Sequence, residues 1–116
     1  MSAQTLQEKR AVYAEDLEKA LERIVAELST NPNVERVILF GSYADGKRDL
    51  LTDLDVIVIM ESRLDYVSRT AEMYGQLHPG VDIDLLVYTP QEFERMRKRG
   101  FLRHALEHCK VLYEKK

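Results

Sequence analysis

The feature that most constrains this chain is an unbroken apolar run, Val56-Ile57-Val58-Ile59, in the middle of the sequence. Four consecutive β-branched residues favour an extended strand and leave it without a polar face. Such a strand is typical of a sheet that is covered on both faces. We therefore predict a strand from Asp53 to Met60 that lies between two layers of packed structure.

The periodicity on either side of this run predicts further elements. Apolar residues from Leu17 to Leu28 follow the i, i+3, i+4, i+7 spacing of an amphipathic helix. Asn31-Pro32-Asn33 then ends that helix. Short apolar segments predict strands over Val34 to Phe40 and Val81 to Tyr88, and a brief terminal strand over Val111-Leu112-Tyr113.

Capping signals predict the remaining helices. Ser62-Arg63-Leu64-Asp65 resembles a capping box, and an apolar stripe follows it. The members of that stripe are Leu64, Val67, Ala71, Tyr74 and Leu77. Thr89-Pro90-Gln91-Glu92 places a cap, an N1 proline and an N3 acid in order, and Gly100 divides the segment beyond into two short helices. The predicted fold class is α/β or α+β, with helices packed on a small mixed sheet.

Size and composition limit the kind of protein. A chain of 116 residues fits one domain, so we predict a single domain over residues 1–116. Its formal net charge of −3 gives no electrostatic reason to expect nucleic-acid binding. The single cysteine, Cys109, excludes an intramolecular disulfide. Because no segment looks like a signal peptide or a membrane span, we predict a cytoplasmic location without membrane association. The oligomeric state is left open.

Two acidic pairs suggest chemistry. Asp53 and Asp55 stand at positions i and i+2 directly before the apolar run, and Asp82 and Asp84 repeat this spacing before the next strand. Residues i and i+2 of a strand face the same side, so each pair converges. If the two strands are neighbours, the crowded carboxylates require neutralisation by bound metal. Carboxylate clusters that hold two divalent ions are typical of enzymes that transfer phosphoryl or nucleotidyl groups.

A turn at Gly41-Ser42 follows the first predicted strand. Glycine lets an anion approach the main chain, and the backbone N–H groups at the start of a helical turn point towards such an anion. The Ser42 hydroxyl adds a donor. By itself the dipeptide is a common turn, so the prediction of a phosphate site depends on its combination with the acidic pairs.

The segment Leu39-Phe40-Gly41-Ser42, followed after ten residues by Asp53-Leu54-Asp55, resembles the Gly-Ser-x10-Asp-x-Asp signature of the polymerase-β-type nucleotidyltransferase superfamily. It is most similar to the minimal nucleotidyltransferases (MNT) of bacteria and archaea, over nearly the whole chain. The resemblance implies a polymerase-β-like nucleotidyltransferase fold. It also implies an enzyme that uses Mg²⁺, with two ions, to transfer a nucleotide such as AMP from a nucleoside triphosphate such as ATP to a hydroxyl group.

By this resemblance, Gly41 and Ser42 would hold the triphosphate, while Asp53 and Asp55 would bind Mg²⁺. The third acid, which ligates metal and helps to activate the acceptor hydroxyl, would be Asp84, because the family places this acid directly before an apolar run. Asp82 is the alternative. Minimal members often act as antitoxins paired with a HEPN-type toxin, and some transfer AMP to a tyrosine of that partner, so the resemblance implies protein adenylylation.

The chain departs from the family pattern at Asp45, where members often carry arginine. Lys47 and Arg48 lie close enough in sequence to contact the triphosphate instead. Asp45 and the lack of an evident acceptor-binding domain keep a second hypothesis open. In it, the chain is a binding module that neutralises a HEPN-type toxin by docking, with weak or absent catalysis. Small-molecule acceptors such as antibiotics stay open as well.

Overall fold

A computed structural model describes residues 5–116 and contains a four-stranded mixed sheet. The strands are β1 (Val34–Phe40), β2 (Leu54–Met60), β3 (Ile83–Tyr88) and β4 (Lys110–Glu114). Their order across the sheet is β3-β2-β1-β4. β1 runs antiparallel to both β2 and β4, whereas β2 and β3 are parallel neighbours. The predicted mixed sheet is therefore confirmed.

Five helices surround this sheet in the described part of the chain. They are α1 (Leu6–Ser29), α2 (Gly41–Ala44), α3 (Tyr66–Gln76), α4 (Pro90–Met96) and α5 (Gly100–Glu107). The break at Gly100 and the capping box of Thr89 and Glu92 at the start of α4 are both confirmed. None of the helices within residues 5–116 is long and apolar enough to cross a membrane.

The central strand β2 is buried on both faces, as its apolar run predicts. Val56 and Val58 pack with α1 and α3 in one core, whereas Ile57 and Ile59 pack with α4 and α5 in the other. Alternation of side chains along the strand divides these residues between the two cores. Each polar residue at the start of a strand is thereby assigned to one face of the sheet.

The helix predicted from Leu17 begins eleven residues earlier, at Leu6. Thr5 and Glu8 form a capping box there, a local signal that acts without any apolar face. The predicted core positions at the C-terminal end of the helix are confirmed, since Leu17, Ala20, Ile24 and Leu28 are all buried. The first two turns are exposed, so periodicity alone does not detect them.

The predicted start and apolar stripe of α3 are wrong. Asp65, not Ser62, caps the helix, and its side chain accepts a hydrogen bond from the Ser68 amide at 2.8 Å. Of the predicted stripe only Leu77 is buried. The helix instead turns Arg69 and Met73 towards the sheet.

Arg69 can be buried because both terminal nitrogens of its guanidinium meet acceptors, whereas its Nε has no hydrogen-bond partner within residues 5–116. It donates to the carbonyl oxygens of Val87 (2.8 Å) and Leu64 (2.9 Å) and to both carboxylate oxygens of Glu92, the closer at 2.6 Å. A buried charge is tolerated when it is paired and hydrogen-bonded in this way. The ion pair links α3, β3 and the start of α4, and it is a long-range feature that no periodicity predicts.

Candidate nucleotidyl-transfer site

The acidic residues meet at the edge of the sheet where β2 and β3 begin. Asp55 and Asp84 are register partners on these parallel strands. Both share the strand parity of the side chains that face α4 and α5, so their carboxyl groups lie on the same face. Asp53 directly precedes β2, and Asp82, which is exposed, precedes β3. The predicted neighbourhood of the two acidic strands is confirmed, and Asp84 rather than Asp82 is paired with Asp55.

Asp55 has the most perturbed acidity of the cluster. Partial burial raises the pKa of its carboxyl to about 6, and the Asp84 carboxylate adds to this through its charge and a hydrogen bond, followed by the charge of Asp53. Such a shift is expected when like charges share a site that lacks a counter-charge. The arrangement therefore favours a bound proton or a cation.

Gly41 packs directly against this acidic cluster. Its φ of 76° lies in the left-handed region, where glycine is favoured. A Cβ atom at this position would overlap Oδ2 of Asp55 and lie only 3.0 Å from its Cγ. Glycine is therefore favoured here by space as well as by backbone conformation, since only the smallest residue leaves room for the Asp55 carboxylate.

The turn after β1 is the short helix α2, in which Ser42 is half-buried and Tyr43 is buried. The two nearby cations, which the sequence does not distinguish, differ here. The guanidinium of Arg48 stacks on the Tyr43 ring, 3.5 Å from its centroid, and donates to the carbonyl oxygens of Tyr43 and Lys47 at 2.8 Å each. Lys47 and Arg48 are both exposed, but within residues 5–116 only Arg48 makes these contacts, and it thereby braces the turn.

A cavity of about 210 Å³ borders Gly41 on the α5 side. Asp45 lines it, together with Phe101 and the two histidines His104 and His108. The position where the family often has arginine therefore carries an exposed carboxylate here, beside imidazoles instead of a guanidinium.

Two tyrosines that sequence reasoning did not connect with the site reach it from the opposite layer. The Tyr13 hydroxyl donates to the carbonyl oxygen of Thr52 at 2.8 Å, next to Asp53. Burial and the charges of Asp53 and Asp82 raise the pKa of Tyr13. The Tyr74 hydroxyl bonds to the backbone of β3. Tyr74 had been assigned to an apolar stripe, and Tyr13 lies before the predicted helix.

The acidic cluster fits a hard cation such as Mg²⁺ by its chemistry. Asp55 and Asp84 offer carboxylate oxygens in adjacent register, and burial together with the neighbouring carboxylates raises the pKa of Asp55. Within residues 5–116, no group of three or more histidine, cysteine or acidic side chains forms a complete metal site. The predicted ligands Asp53, Asp55 and Asp84 therefore do not form a closed metal site by themselves, and a bound Mg²⁺ would take further ligands from water and substrate phosphates.

Comparisons with known proteins agree with this geometry. Residues 22–116 match the family described as "Polymerase beta, Nucleotidyltransferase". The chain is 32% identical over 98 residues to the "Putative protein adenylyltransferase MJ0604" of Methanocaldococcus jannaschii, an alignment that covers 83% of this chain and 97% of the relative.

Solved structures share the fold. A "putative nucleotidyltransferase" from Sulfolobus solfataricus superposes with a TM-score of 0.57 at 16% identity, over 98% of this chain and 91% of that one. A toxin–antitoxin complex with AMP-PNP superposes with a TM-score of 0.54 at 21% identity, over 85% of this chain and 74% of that one.

The family match covers most of the chain, and the relative from M. jannaschii is similar over nearly its whole length. Enzymes of this family generally use a divalent metal. With Gly41-Ser42 at the end of β1 and an acidic pair across β2 and β3, this chain belongs to the polymerase-β nucleotidyltransferase family.

Proposed function

We propose that this protein transfers AMP from ATP to a hydroxyl group of a partner protein, and that Mg²⁺ is required. The observation that carries the proposal is the pairing of Asp55 with Asp84 on adjacent parallel strands, directly against Gly41. This arrangement places the end of the turn and two carboxylates around one point. A nucleotide bound by its phosphates at the turn would present its α-phosphate to the acids.

Each residue has a stated role in this reaction. Asp53 and Asp55 hold Mg²⁺, while Gly41 and Ser42 bind the triphosphate through the open main chain and the serine hydroxyl. Lys47 adds positive charge, because its ammonium is free to reach a phosphate from the exposed loop. When bound, Mg²⁺ in one or two sites neutralises the charge that develops on the phosphate oxygens and on the leaving pyrophosphate. Arg48, the other cation predicted to contact the triphosphate, chiefly supports the loop through its contacts with Tyr43.

Asp84, the register partner of Asp55, also ligates the metal, and its carboxylate is the proton acceptor. The acceptor oxygen forms a bond to the α-phosphorus, the bond from that phosphorus to the bridging oxygen breaks, and pyrophosphate leaves. The proton of the acceptor hydroxyl passes to the Asp84 carboxylate, which is exposed and therefore accessible to an incoming substrate.

Protein adenylylation is the form of transfer that the relatives favour. The M. jannaschii relative is named as a protein adenylyltransferase, and one structure with the same fold is a toxin–antitoxin complex that contains AMP-PNP. A toxin protein is therefore the partner that we propose, and the family resemblance of the sequence favours one of HEPN type. The protein would act as its antitoxin in the cytoplasm.

Incubation with ATP labelled at the α-phosphate, Mg²⁺ and the product of the neighbouring gene tests this function. The wild type should transfer label to the partner, and chelation of metal should abolish transfer. Asp53→Asn/Asp55→Asn should lower the rate at least about 100-fold. A matched control, Glu18→Gln/Glu22→Gln, removes two charges from the exposed face of α1 and should keep the wild-type rate.

Two results would contradict the proposal. Transfer that survives Asp53→Asn/Asp55→Asn would show that the acids are not the metal site. Inhibition of the partner without transfer of any nucleotide would instead favour the docking hypothesis, which the carboxylate of Asp45 beside the turn motivates.

A further inference from the structure

Two tyrosine hydroxyls form hydrogen bonds to the backbone where β2 and β3 begin, at residues adjacent in sequence to Asp53 and Asp84. Tyr13 of α1 donates to the carbonyl oxygen of Thr52 at 2.8 Å. Tyr74 of α3 accepts a hydrogen bond from the amide of Leu85 at 2.7 Å and donates to the carbonyl oxygen of Ile83 at 3.3 Å. Both helices contribute to the same core.

These bonds adjoin the candidate metal ligands. The Thr52 carbonyl belongs to the peptide that joins Thr52 to Asp53, and Ile83 and Leu85 flank Asp84 on both sides. β3 is an edge strand, so its outward backbone groups have no strand to bond with. Tyr74 forms hydrogen bonds with two of these backbone groups, the carbonyl oxygen of Ile83 and the amide of Leu85, on either side of Asp84.

The tyrosines act through the backbone and not on the carboxylates. Leu85 and Val56 point into the core beneath α1 and α3, whereas Asp55 and Asp84 have the opposite parity and face α4 and α5. The helices on one face therefore fix the main chain, and the acids project from it on the other. Thr52 is itself buried and tied to Asp49, so the carbonyl that Tyr13 bonds is well placed to anchor the start of β2.

We propose that Tyr13 and Tyr74 are positioning residues, which hold the main chain at Asp53 and at Asp84 so that the carboxylates converge on one cation. The inference rests on the proposed function, since it assumes that these acids bind the metal. Mg²⁺ demands nearly ideal octahedral geometry, so small movements of a ligand weaken binding. Outer groups that orient metal ligands typically contribute 10–100-fold to affinity or activity.

Removal of each hydroxyl tests the inference. We would titrate Mn²⁺, detected by electron paramagnetic resonance in place of Mg²⁺, into the protein with the uncleavable analogue α,β-methylene-ATP. Tyr13→Phe and Tyr74→Phe should each raise the Mn²⁺ Kd about 10-fold. The analogue Kd at saturating Mn²⁺ should stay within about twofold of the wild type, and transfer should recover when Mg²⁺ is raised. Tm should stay within about 5 °C of the wild type.

Tyr113→Phe is the matched control, because Tyr113 lies in β4 at the other edge of the sheet. It should leave the Mn²⁺ Kd unchanged. The inference is overturned if both tyrosine variants bind Mn²⁺ like the wild type, or if metal affinity, analogue affinity and Tm fall together, since that pattern indicates a general structural role. A wild type that binds no Mn²⁺ would reject the proposed function, and the inference with it.

Discussion

Gly41→Ala perturbs the site at its most crowded point. The backbone of Gly41 has a φ of 76°, which costs an alanine about 1–2 kcal/mol. The new Cβ would also lie 3.0 Å from Cγ of Asp55 and overlap its Oδ2. To restore an ordinary carbon–carbon separation of about 3.5–4.0 Å, Cγ of Asp55 must move by about 0.5–1 Å, and the overlapping Oδ2 must move further.

Movement of this size matters more for catalysis than for folding. A misplacement of about 1 Å in a catalytic group can lower a rate about 100-fold. We therefore expect Gly41→Ala to destabilise the protein by about 1–2 kcal/mol and to lower transfer of labelled AMP by about 100-fold. Urea unfolding and the labelled-ATP assay measure the two effects separately.

Gly46→Ala separates the backbone cost from the collision. Gly46 also has a positive φ, 95°, but no atom of the described residues, apart from its chain neighbours, lies within 4 Å of the position its Cβ would take. It should lose about the same stability as Gly41→Ala and retain most of its activity. Equal activity of the two variants would refute the argument that Gly41 makes room for Asp55.

Four further substitutions follow from the structure. Asp55→Asn should stabilise the metal-free protein by about 1 kcal/mol at pH 7.5, after allowance for solvent screening. Because the pKa of Asp55 is raised to about 6, this gain in the free energy of unfolding should disappear as the pH falls towards 4 in urea titrations. Glu92→Gln should cost about 2 kcal/mol by leaving Arg69 without its charged partner. Lys47→Ala should raise the KM for ATP several-fold, whereas Arg48→Ala should chiefly lower Tm, by about 4–8 °C.

Each of these has a control or an opposing result. Glu94→Gln breaks an exposed pair with Arg97 and should change stability by less than about 0.5 kcal/mol. Since Arg69 lowers the pKa of Glu92, the stabilisation from Glu92 should be present above about pH 4.5 and disappear at lower pH. If Asp55→Asn brought no gain in stability at pH 7.5, the argument from the raised pKa of Asp55 would be contradicted. If Lys47→Ala and Arg48→Ala raised the KM for ATP equally, the distinction between the two cations would be wrong.

The sequence was sufficient for several features that a local pattern determines, although it missed the capping box at Thr5 and misplaced the start of α3 at Ser62. The apolar run in β2, the capping box at Thr89 and the break at Gly100 each depend on neighbouring residues, and each is confirmed. The family resemblance rests on similar local evidence, since its glycine, serine and aspartates are fixed in spacing along the chain. The roles of those residues in turnover stay predictions.

The sequence failed where distant partners decide the outcome. Arg69 looks like a surface residue of α3, but its buried guanidinium is paired with Glu92 and two backbone carbonyls, and the helix faces the sheet with Arg69 and Met73 instead of the predicted apolar stripe. Lys47 and Arg48 look equivalent in the sequence, but in the structure Arg48 stacks on the ring of Tyr43. In both cases a contact between side chains decides the outcome, and hydrophobic periodicity does not predict such contacts.

The apolar run in β2 therefore predicted by itself a sheet covered on both faces, because four β-branched residues favour an extended strand that has no polar face to present to water. The pairs Asp53/Asp55 and Asp82/Asp84 likewise predicted a cluster of negative charge. Only the tertiary structure decided that β2 and β3 are parallel neighbours, which sets Asp84 beside Asp55. The antiparallel pairing of β1 with β2 aligns Phe40 with Asp55 and so brings Gly41 against the Asp55 carboxylate. Register and close approach are properties of the assembled sheet, and they distinguish the paired acid from Asp82.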